Sequence, residues 1–144
     1  MIRDMSIEDL DRVSVIEDAC FSMPWSKEGF EAALEMPGNK FIVYEKNDEI
    51  YGYCGYYGVL DEAEITNVAV DPDMRNRGLG RDMVNALLSK AAKNGINRIL
   101  LEVRESNDPA IHLYEELGFK KLGLRRDFYE KPRESAIIME RYLN

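Results

Sequence analysis

Residues 68–81 read VAVDPDMRNRGLGR, and the rest of the chain is organised around this stretch. It opens as an apolar strand, breaks at an Asp-Pro-Asp turn, and passes through a loop rich in arginine and glycine into an amphipathic helix. A strand, a glycine-containing loop and a helix leave free backbone N–H groups and the positive end of a helix dipole at one point. Glycine also lets a ligand approach the backbone closely. The stretch therefore predicts a binding site for a phosphate or pyrophosphate.

The spacing of the glycines distinguishes between the known phosphate-binding motifs. A P-loop needs Gly-x-x-x-x-Gly-Lys-Ser/Thr, which the sequence does not contain. A dinucleotide fingerprint needs a third glycine where Met83 stands, and it normally lies in the first βα turn of its fold. The loop instead matches Arg/Gln-x-x-Gly-x-Gly/Ala, as Arg75, Gly78 and Gly80. It thus resembles the acetyl-coenzyme A signature of the GCN5-related N-acetyltransferase (GNAT) superfamily; an ordinary glycine-containing connection is the alternative.

Composition limits the other classes of function. A chain of 144 residues suits one domain, spanning 1–144, with one sizeable core. The net charge of −8 disfavours nucleic acid as a direct partner and would suit a cationic substrate. The apolar runs are too short for a membrane span, and the N-terminus lacks the apolar core of a signal peptide. Cys20 and Cys54 have no metal-binding spacing, so we expect two free thiols in a reducing cytoplasm and no metal.

Hydrophobic periodicity and turn signals predict the element order β-α-α-β-β-β-α-β-α-β-β. The first helix is expected to run from a cap at Ser6 to about residue 20, and the second from a cap at Ser26 to about residue 34. The fourth helix is expected to begin with Asp108 as N-cap and Pro109 behind it. Strands are expected at 2–4, 41–44, 49–59, 63–70, 98–103, 119–125 and 135–142.

This order predicts an α/β protein of the α+β kind, with a mixed sheet and helices on both faces. The crossovers after residues 70 and 103 are expected to be βα units. The carboxyl ends of those two strands would then meet at one edge, which is where the site is expected.

Transfer of an acyl group from a thioester to an amine needs a grip on the coenzyme, polarisation of the carbonyl, a base and an acid. Backbone groups of the strand before the loop would pair with the pantetheine arm as an added strand does, and the N–H of Val68 would face the thioester carbonyl. Loop amides and three arginines would hold the pyrophosphate. The predicted coenzyme site comprises Val68, Ala69, Val70, Arg75, Asn76, Arg77, Gly78, Leu79, Gly80 and Arg81.

Glu102 and Tyr114 are the candidate base and acid. Glu102 lies in the apolar strand RILLEV, where burial would raise its pKa from about 4.3 toward neutrality. A strand residue facing solvent is the alternative. Tyr114 lies on an apolar helix face, and a phenol of pKa about 10 can donate to a thiolate; a tyrosine bonded to backbone is the alternative. His112 falls on another face of that helix and is interpreted as a surface residue.

Further motifs make the resemblance more specific. The segments are EITNVAV at 64–70, LEVR-x-SN at 101–107, and AI-x-LYE-x-LGF at 110–119. RR-x-FY at 125–129 and Pro24-Trp25 complete the set, which covers nearly the whole chain. In combination they closely resemble the bacterial ribosomal-protein-alanine N-acetyltransferases of the RimI type.

The resemblance implies a mostly antiparallel mixed sheet flanked by four helices, with Glu102 as base and Tyr114 as acid. It also implies Asn107 as a second coenzyme contact, and a peptide groove shaped by Trp25 and Tyr129. The implied cosubstrate is acetyl-CoA. The implied substrate is the N-terminal alanine of a small-subunit ribosomal protein or another protein N-terminus, and the implied assembly is a monomer or weak homodimer. Phe128 departs from the family's tyrosine pair, and a short charged loop is expected at 130–134.

Two other functions stay open at this point. A GNAT enzyme that acetylates lysine side chains or polyamines would share the coenzyme half and differ only in its acceptor. A binding module that senses acetyl-CoA without catalysis would need neither Glu102 nor Tyr114, so the presence of both residues argues against it.

Overall fold

The computed structural model describes residues 1–143 and consists of a seven-stranded sheet with helices on both faces. The predicted order of elements is confirmed. The helices are α1 Leu10–Cys20, α2 Lys27–Glu35, α3 Leu79–Lys93 and α4 Asp108–Glu116. The strands are β1 Ile2–Asp4, β2 Lys40–Lys46, β3 Glu49–Val59, β4 Glu62–Val70, β5 Arg98–Arg104, β6 Lys120–Glu130 and β7 Arg133–Tyr142.

Two helix starts differ from the prediction. Ser6 precedes a 3-10 turn over Ile7–Asp9, and α1 begins only at Leu10. The N-cap of α4 is Asn107, whose side-chain oxygen accepts the N–H of Ala110 at 3.3 Å; the prediction of Asp108 was therefore wrong by one residue. Both asparagine and aspartate cap well, so the sequence alone does not separate neighbouring candidates.

The β6–β7 connection is shorter than predicted. β6 runs to Glu130 and β7 starts at Arg133, which leaves a turn of two residues in place of the charged loop expected at 130–134. Arg104 at the end of β5 fixes this turn, because its guanidinium donates to the carbonyl of Pro132 at 2.9 Å and to that of Lys131 at 3.1 Å. A side chain from a distant strand thus supports a hairpin that local charge had suggested was a loop.

The sheet has the strand order β1-β2-β3-β4-β5-β7-β6, and every neighbouring pair is antiparallel except β4 and β5. The expected mixed, mostly antiparallel sheet is therefore confirmed. The parallel pairing extends only from Glu62 opposite Arg98 to Ile65 opposite Leu101. Beyond that point the two strands part, and we call the space between their carboxyl ends the opening.

A β-bulge at Thr66 shapes one wall of the opening. Ile65 pairs with Tyr56 of β3 and Asn67 pairs with Gly55, so Thr66 is the extra residue of β4. The bulge reverses the alternation of side chains along the strand. Odd-numbered residues before it pack on the side of α3 and α4, whereas the odd-numbered Ala69 after it packs on the side of α1 and α2. If the alternation of the first half of β4 simply continued, the residues after the bulge would lie on the opposite faces from those they occupy.

Two apolar clusters, one on each face, hold the helices against the sheet. The side of α3 and α4 buries Met83, Val84, Leu87, Ile99, Leu101 and Met139 among others. The side of α1 and α2 buries Leu10, Val13, Ile16, Phe30 and Phe41. Each such side chain stabilises the fold by about 1.5–3 kcal/mol on burial. The opening thus lies between two well-packed layers.

Two predictions from composition can be compared with the fold. Cys20 and Cys54 are both free, as expected, and Cys54 is buried. Among residues 1–143, no helix has the length and apolar character needed to cross a lipid bilayer.

Candidate active site

The loop after β4 and the start of α3 form an open, donor-rich surface. Gly78 caps α3 with a left-handed φ of 82°, and the first helical bond runs from the N–H of Asp82 to the carbonyl of Gly78 at 3.0 Å. Within residues 1–143, the amides of 79–81 have no protein acceptor. A Cβ at Gly78 would meet no atom within 4 Å, so the backbone here is accessible. This is the geometry that suits a bound anion.

The three arginines predicted to assist this loop differ in their partners. Arg75 turns back toward β4, where its Nη2 lies 3.2 Å from the Sγ of Cys20. Arg81 forms an ion pair with Glu116 at 2.6 Å. Arg77 is exposed and makes no ion pair with the described residues. Arg75 and Arg77 can therefore reach a phosphate without breaking an ion pair, whereas Arg81 would have to leave its carboxylate.

Glu102 lies at the opening, between the buried neighbours Leu101 and Val103 of β5. Its side chain is 14% exposed, and the Nη1 of Arg125 lies 3.2 Å and 3.3 Å from its two oxygens. Burial first, and the carboxyl of Glu64 second, raise the pKa of Glu102 to about 7, while Arg125 opposes the rise. The rise in pKa expected from the apolar strand is thus present, and the solvent-facing alternative does not hold.

The fold places Glu102 on the same face as the α1–α2 loop. Glu64 pairs with Leu100 across the parallel strands, so its side chain and that of Glu102 project from the same side of the sheet. On the other flank Glu64 lies opposite Tyr57 of β3, whose ring centroid is 5.7 Å from that of Trp25. The candidate base therefore faces the region that was predicted to hold the acceptor.

Tyr114 lies on the other face of the sheet, in the apolar cluster of α3 and α4. It is a buried residue of α4, and its ring packs edge-on against Phe119 at 5.7 Å. Burial raises its pKa above the ordinary value, with smaller contributions from Cys54 and Tyr129. Its hydroxyl has no hydrogen-bond partner among the described residues, which argues against a tyrosine bonded to backbone. Base and acid candidates thus lie on opposite faces, joined by the opening.

Tyr129 links the two candidates. Burial and then the charge of Glu102 raise the pKa of Tyr129 to about 12, and Tyr129 in turn affects Tyr114. Its ring lies under the guanidinium of Arg104 at 4.3 Å, and Arg104 also pairs with Glu134 at 3.2 Å. Tyr129 is therefore held near Glu102 by the end of β5. The adjacent Phe128 is exposed at the same edge.

Trp25 is half-buried in a cluster of aromatic rings rather than free in its loop. Its ring centroid lies 5.2 Å from that of Phe30 and 6.3 Å from that of Phe41. Its backbone N–H donates to the buried carboxylate of Glu17 at 2.9 Å. Asn67 of β4 donates to the same carboxylate at 3.2 Å. One carboxylate of α1 thus fixes both the α1–α2 loop and the bulged end of β4.

The remaining predicted residues lie at the surface. Asn107 is exposed, and its side-chain oxygen already caps α4, so its amide nitrogen is the group left for a coenzyme contact. His112 is 77% exposed and pairs with Glu116 at 2.6 Å, as expected for a surface histidine.

No group of three or more metal-binding side chains occurs in the part of the chain that the structure describes.

Sequence reasoning did not single out three residues that surround the candidates: Glu64 and Arg125, which flank Glu102, and Glu17, which anchors Trp25 and Asn67. Glu64 and Arg125 appeared only as members of longer motifs, with no role of their own. The lone carboxylate of Glu17 on the apolar face of α1 was the available signal, because an acidic residue in that position needs buried donors.

Comparisons with known proteins identify the family of this chain. The sequence model described as Acetyltransferase (GNAT) family matches residues 10–119. The [ribosomal protein bS18]-alanine N-acetyltransferase of Escherichia coli K12 is 37% identical over 142 residues, covering 96% of this chain and 94% of that protein. The Haemophilus ducreyi protein of the same name is 35% identical over 148 residues, covering 99% and 100%.

A solved structure gives the same result for the fold. The crystal structure of the ribosomal-protein-S18-alanine N-acetyltransferase from E. coli superimposes with a TM-score of 0.92 at 35% identity, covering 100% of this chain and 94% of that one. A family match over most of the chain, relatives of nearly equal length and a shared fold point the same way. The chain belongs to the acetyltransferase (GNAT) family, whose enzymes transfer acetyl groups from acetyl-CoA.

Proposed function

We propose that this protein is an N-α-acetyltransferase, which transfers the acetyl group of acetyl-CoA to the N-terminal α-amino group of a protein. The named relatives act on ribosomal protein bS18, and we assign the same class of substrate here, an N-terminal alanine of a small-subunit ribosomal protein. The whole chain, 1–144, would act as one domain in the cytoplasm. The observation that carries the proposal is Glu102, a carboxyl of pKa about 7 at the opening between β4 and β5.

The proposed reaction is a direct transfer. The α-ammonium gives one proton to Glu102, the neutral nitrogen attacks the thioester carbonyl carbon, and the carbon–sulfur bond breaks. Tyr114 donates its O–H proton to the sulfur as negative charge develops there, and the remaining extra proton of the nitrogen restores the Tyr114 hydroxyl. Burial keeps the pKa of Tyr114 above its ordinary value, so the phenol carries the proton that it has to donate.

The match of proton affinities favours an α-amine over a lysine. An α-amino group has a pKa of about 7.7–8.0, whereas lysine has one of about 10.4. A base of pKa about 7 can accept a proton from the α-amino group at little cost, whereas lysine holds its proton about 250–500-fold more tightly than the α-amino group does. The acceptor groove proposed beside this base comprises Trp25 and Tyr129.

The coenzyme is proposed to bind to the backbone and side-chain donors of the loop. The unpaired amides of 79–81 and the side chains of Arg75 and Arg77 would bind the pyrophosphate. The bulged end of β4, with Val68 and Val70, would pair with the pantetheine arm.

Mass spectrometry of a substrate mixture tests the proposal. The mixture holds acetyl-CoA, a peptide beginning with alanine that also contains lysines, the same peptide with its N-terminus blocked, and spermidine. We expect one acetyl group, on the free α-amine only. Acetylation of lysine or spermidine instead would overturn the assigned acceptor, and binding of acetyl-CoA without any transfer would overturn the enzymatic function.

A further inference from the structure

We infer that Glu64 is a positioning residue of the reaction, whose negative charge tunes the proton affinity of Glu102. The inference rests on the proposed function, in which Glu102 is the base. Glu64 does not belong to the motif that identifies the coenzyme loop, and no step of the reaction described above uses it.

The fold brings the two carboxyls together at the last paired residues of the parallel strands. Ile65 opposite Leu101 is the final pair, and Glu64 and Glu102 flank it on the same face. Glu64 and Glu102 are therefore diagonal neighbours on adjacent strands, and the charge of Glu64 raises the pKa of Glu102. A parallel pair of strands with acidic residues side by side is unfavourable unless one carboxyl keeps a proton. The partly buried Glu102 is the member that keeps it, because burial already disfavours its charge.

The other groups around Glu102 do not cancel this effect. Arg125 of β6 lies 3.2 Å from Glu102 and opposes the rise in its pKa, but burial and Glu64 outweigh this cation, so the pKa stays raised. From β7, Ile138 lies directly opposite, and Glu140 on the same face is engaged by Arg98 at 2.9 Å. The further charged or titratable groups of the surrounding elements are Tyr129 of β6, Arg104 of β5, Tyr57 of β3 and Glu17 of α1.

This arrangement gives the carboxyl pair a definite role. With Glu64 ionised, Glu102 accepts a proton from an incoming ammonium more readily than a lone carboxylate of ordinary pKa would. The proton moves from the substrate nitrogen to Glu102 and then to solvent, while Glu64 stays charged throughout. Removing the charge of Glu64 should make Glu102 a weaker base that is ionised at lower pH.

The experiment compares Glu64→Gln with Glu62→Gln, a matched control. Glu62 is on the same strand and carries the same charge, but its partner is Arg98 at 3.2 Å. Carbon-13 NMR of carboxyl-labelled glutamate follows the titration of Glu102 directly, with its signal assigned from Glu102→Gln. In parallel, the pH dependence of kcat and the KM for acetyl-CoA are measured for each protein. Glu64→Thr, which suits an exposed strand position, repeats the test with a second neutral residue.

We expect Glu64→Gln and Glu64→Thr to lower the titration midpoint of Glu102 by about one pH unit. The acid limb, which is the pH range in which kcat falls on the acid side, should shift down by the same amount. Glu62→Gln should move neither, and the KM for acetyl-CoA should stay unchanged in all variants. An unmoved midpoint in both Glu64 variants, an unmoved acid limb, or an equal shift in Glu62→Gln would overturn the inference. If the wild type fails to acetylate α-amines, the proposed function fails, and the NMR titration still decides whether Glu64 controls Glu102.

Discussion

The proposed coenzyme side and the proposed acceptor side of the candidate site use different kinds of groups. The coenzyme side takes its groups from one continuous stretch, 68–81, and most of them are backbone amides at the start of α3. The acceptor side takes side chains from β4, β5 and β6, with Glu64, Glu102, Arg125 and Tyr129 meeting across strands. The backbone donors depend only on the local conformation of the loop. The raised pKa of Glu102, in contrast, depends on neighbouring side chains that come from several strands of the sheet. Substitutions on the two sides should therefore fail in different ways.

The largest effect is expected for Glu102→Gln. Loss of the base should lower kcat by about 10²–10⁴, whereas the dissociation constant for acetyl-CoA should stay unchanged because the coenzyme side is intact. Stopped-flow turnover and calorimetric titration measure the two quantities.

Protein stability provides the control for Glu102→Gln. The pKa of Glu102 is raised from its ordinary value to about 7, so the folded state binds the extra proton between those values and loses stability as the pH rises through them. At pH 8 the variant should therefore be at least as thermally stable as the wild type. A kcat equal to that of the wild type would show that the acceptor side has another base.

Tyr114→Phe should lower kcat by about 10², again without weakening acetyl-CoA binding. The ring would keep its packing against Phe119, and only the hydroxyl would be lost. Tyr56→Phe is the matched control, since Tyr56 is also buried on this face, and its hydroxyl accepts a hydrogen bond from the side-chain N–H of Asn94 at 3.2 Å. Equal kcat losses in the two variants would point to a packing effect rather than an acid.

Gly78→Ala should raise the KM for acetyl-CoA by about tenfold, which is about 1.4 kcal/mol of binding, while kcat stays close to that of the wild type. Gly95→Ala is its control at the opposite end of α3. Both glycines have left-handed φ values, 82° and 83°, with no atom within 4 Å of an added Cβ. Each variant should lose about 1–2 kcal/mol of unfolding free energy. A KM that rises equally in both would contradict a specific role for the loop.

Arg125→Gln should have the smallest effect. Removing the cation that opposes protonation should raise the pKa of Glu102 and move the acid limb of kcat upward, by less than one pH unit because Arg125 is largely exposed. Arg126→Gln removes the neighbouring exposed charge and should leave the acid limb of kcat at the same pH as in the wild type. pH profiles of the two variants, measured side by side, decide the point. A downward shift in Arg125→Gln would reverse the sign argued here.

The same contrast explains what the sequence could predict. The element order and the coenzyme loop follow from turn chemistry, periodicity and a contiguous motif, all of which are local. The burial of Glu102 also followed from its apolar strand. The neighbour Glu64 could not be inferred, because it depends on the register of β4 against β5 and on where that pairing ends. The turn at Lys131 and Pro132 was missed for a similar reason, since Arg104 fixes it from another strand.

The pH dependence of kcat for the wild type, from pH 5.5 to 8.5 with saturating acetyl-CoA and a peptide bearing a free N-terminal alanine, tests the central claim most directly. With Glu102 as a base of pKa about 7, kcat should fall tenfold per unit below pH 7 and level off above it. The same limb should be absent in the residual activity of Glu102→Gln. A wild-type kcat that is level down to pH 5.5 would contradict the assignment of this carboxyl as the base.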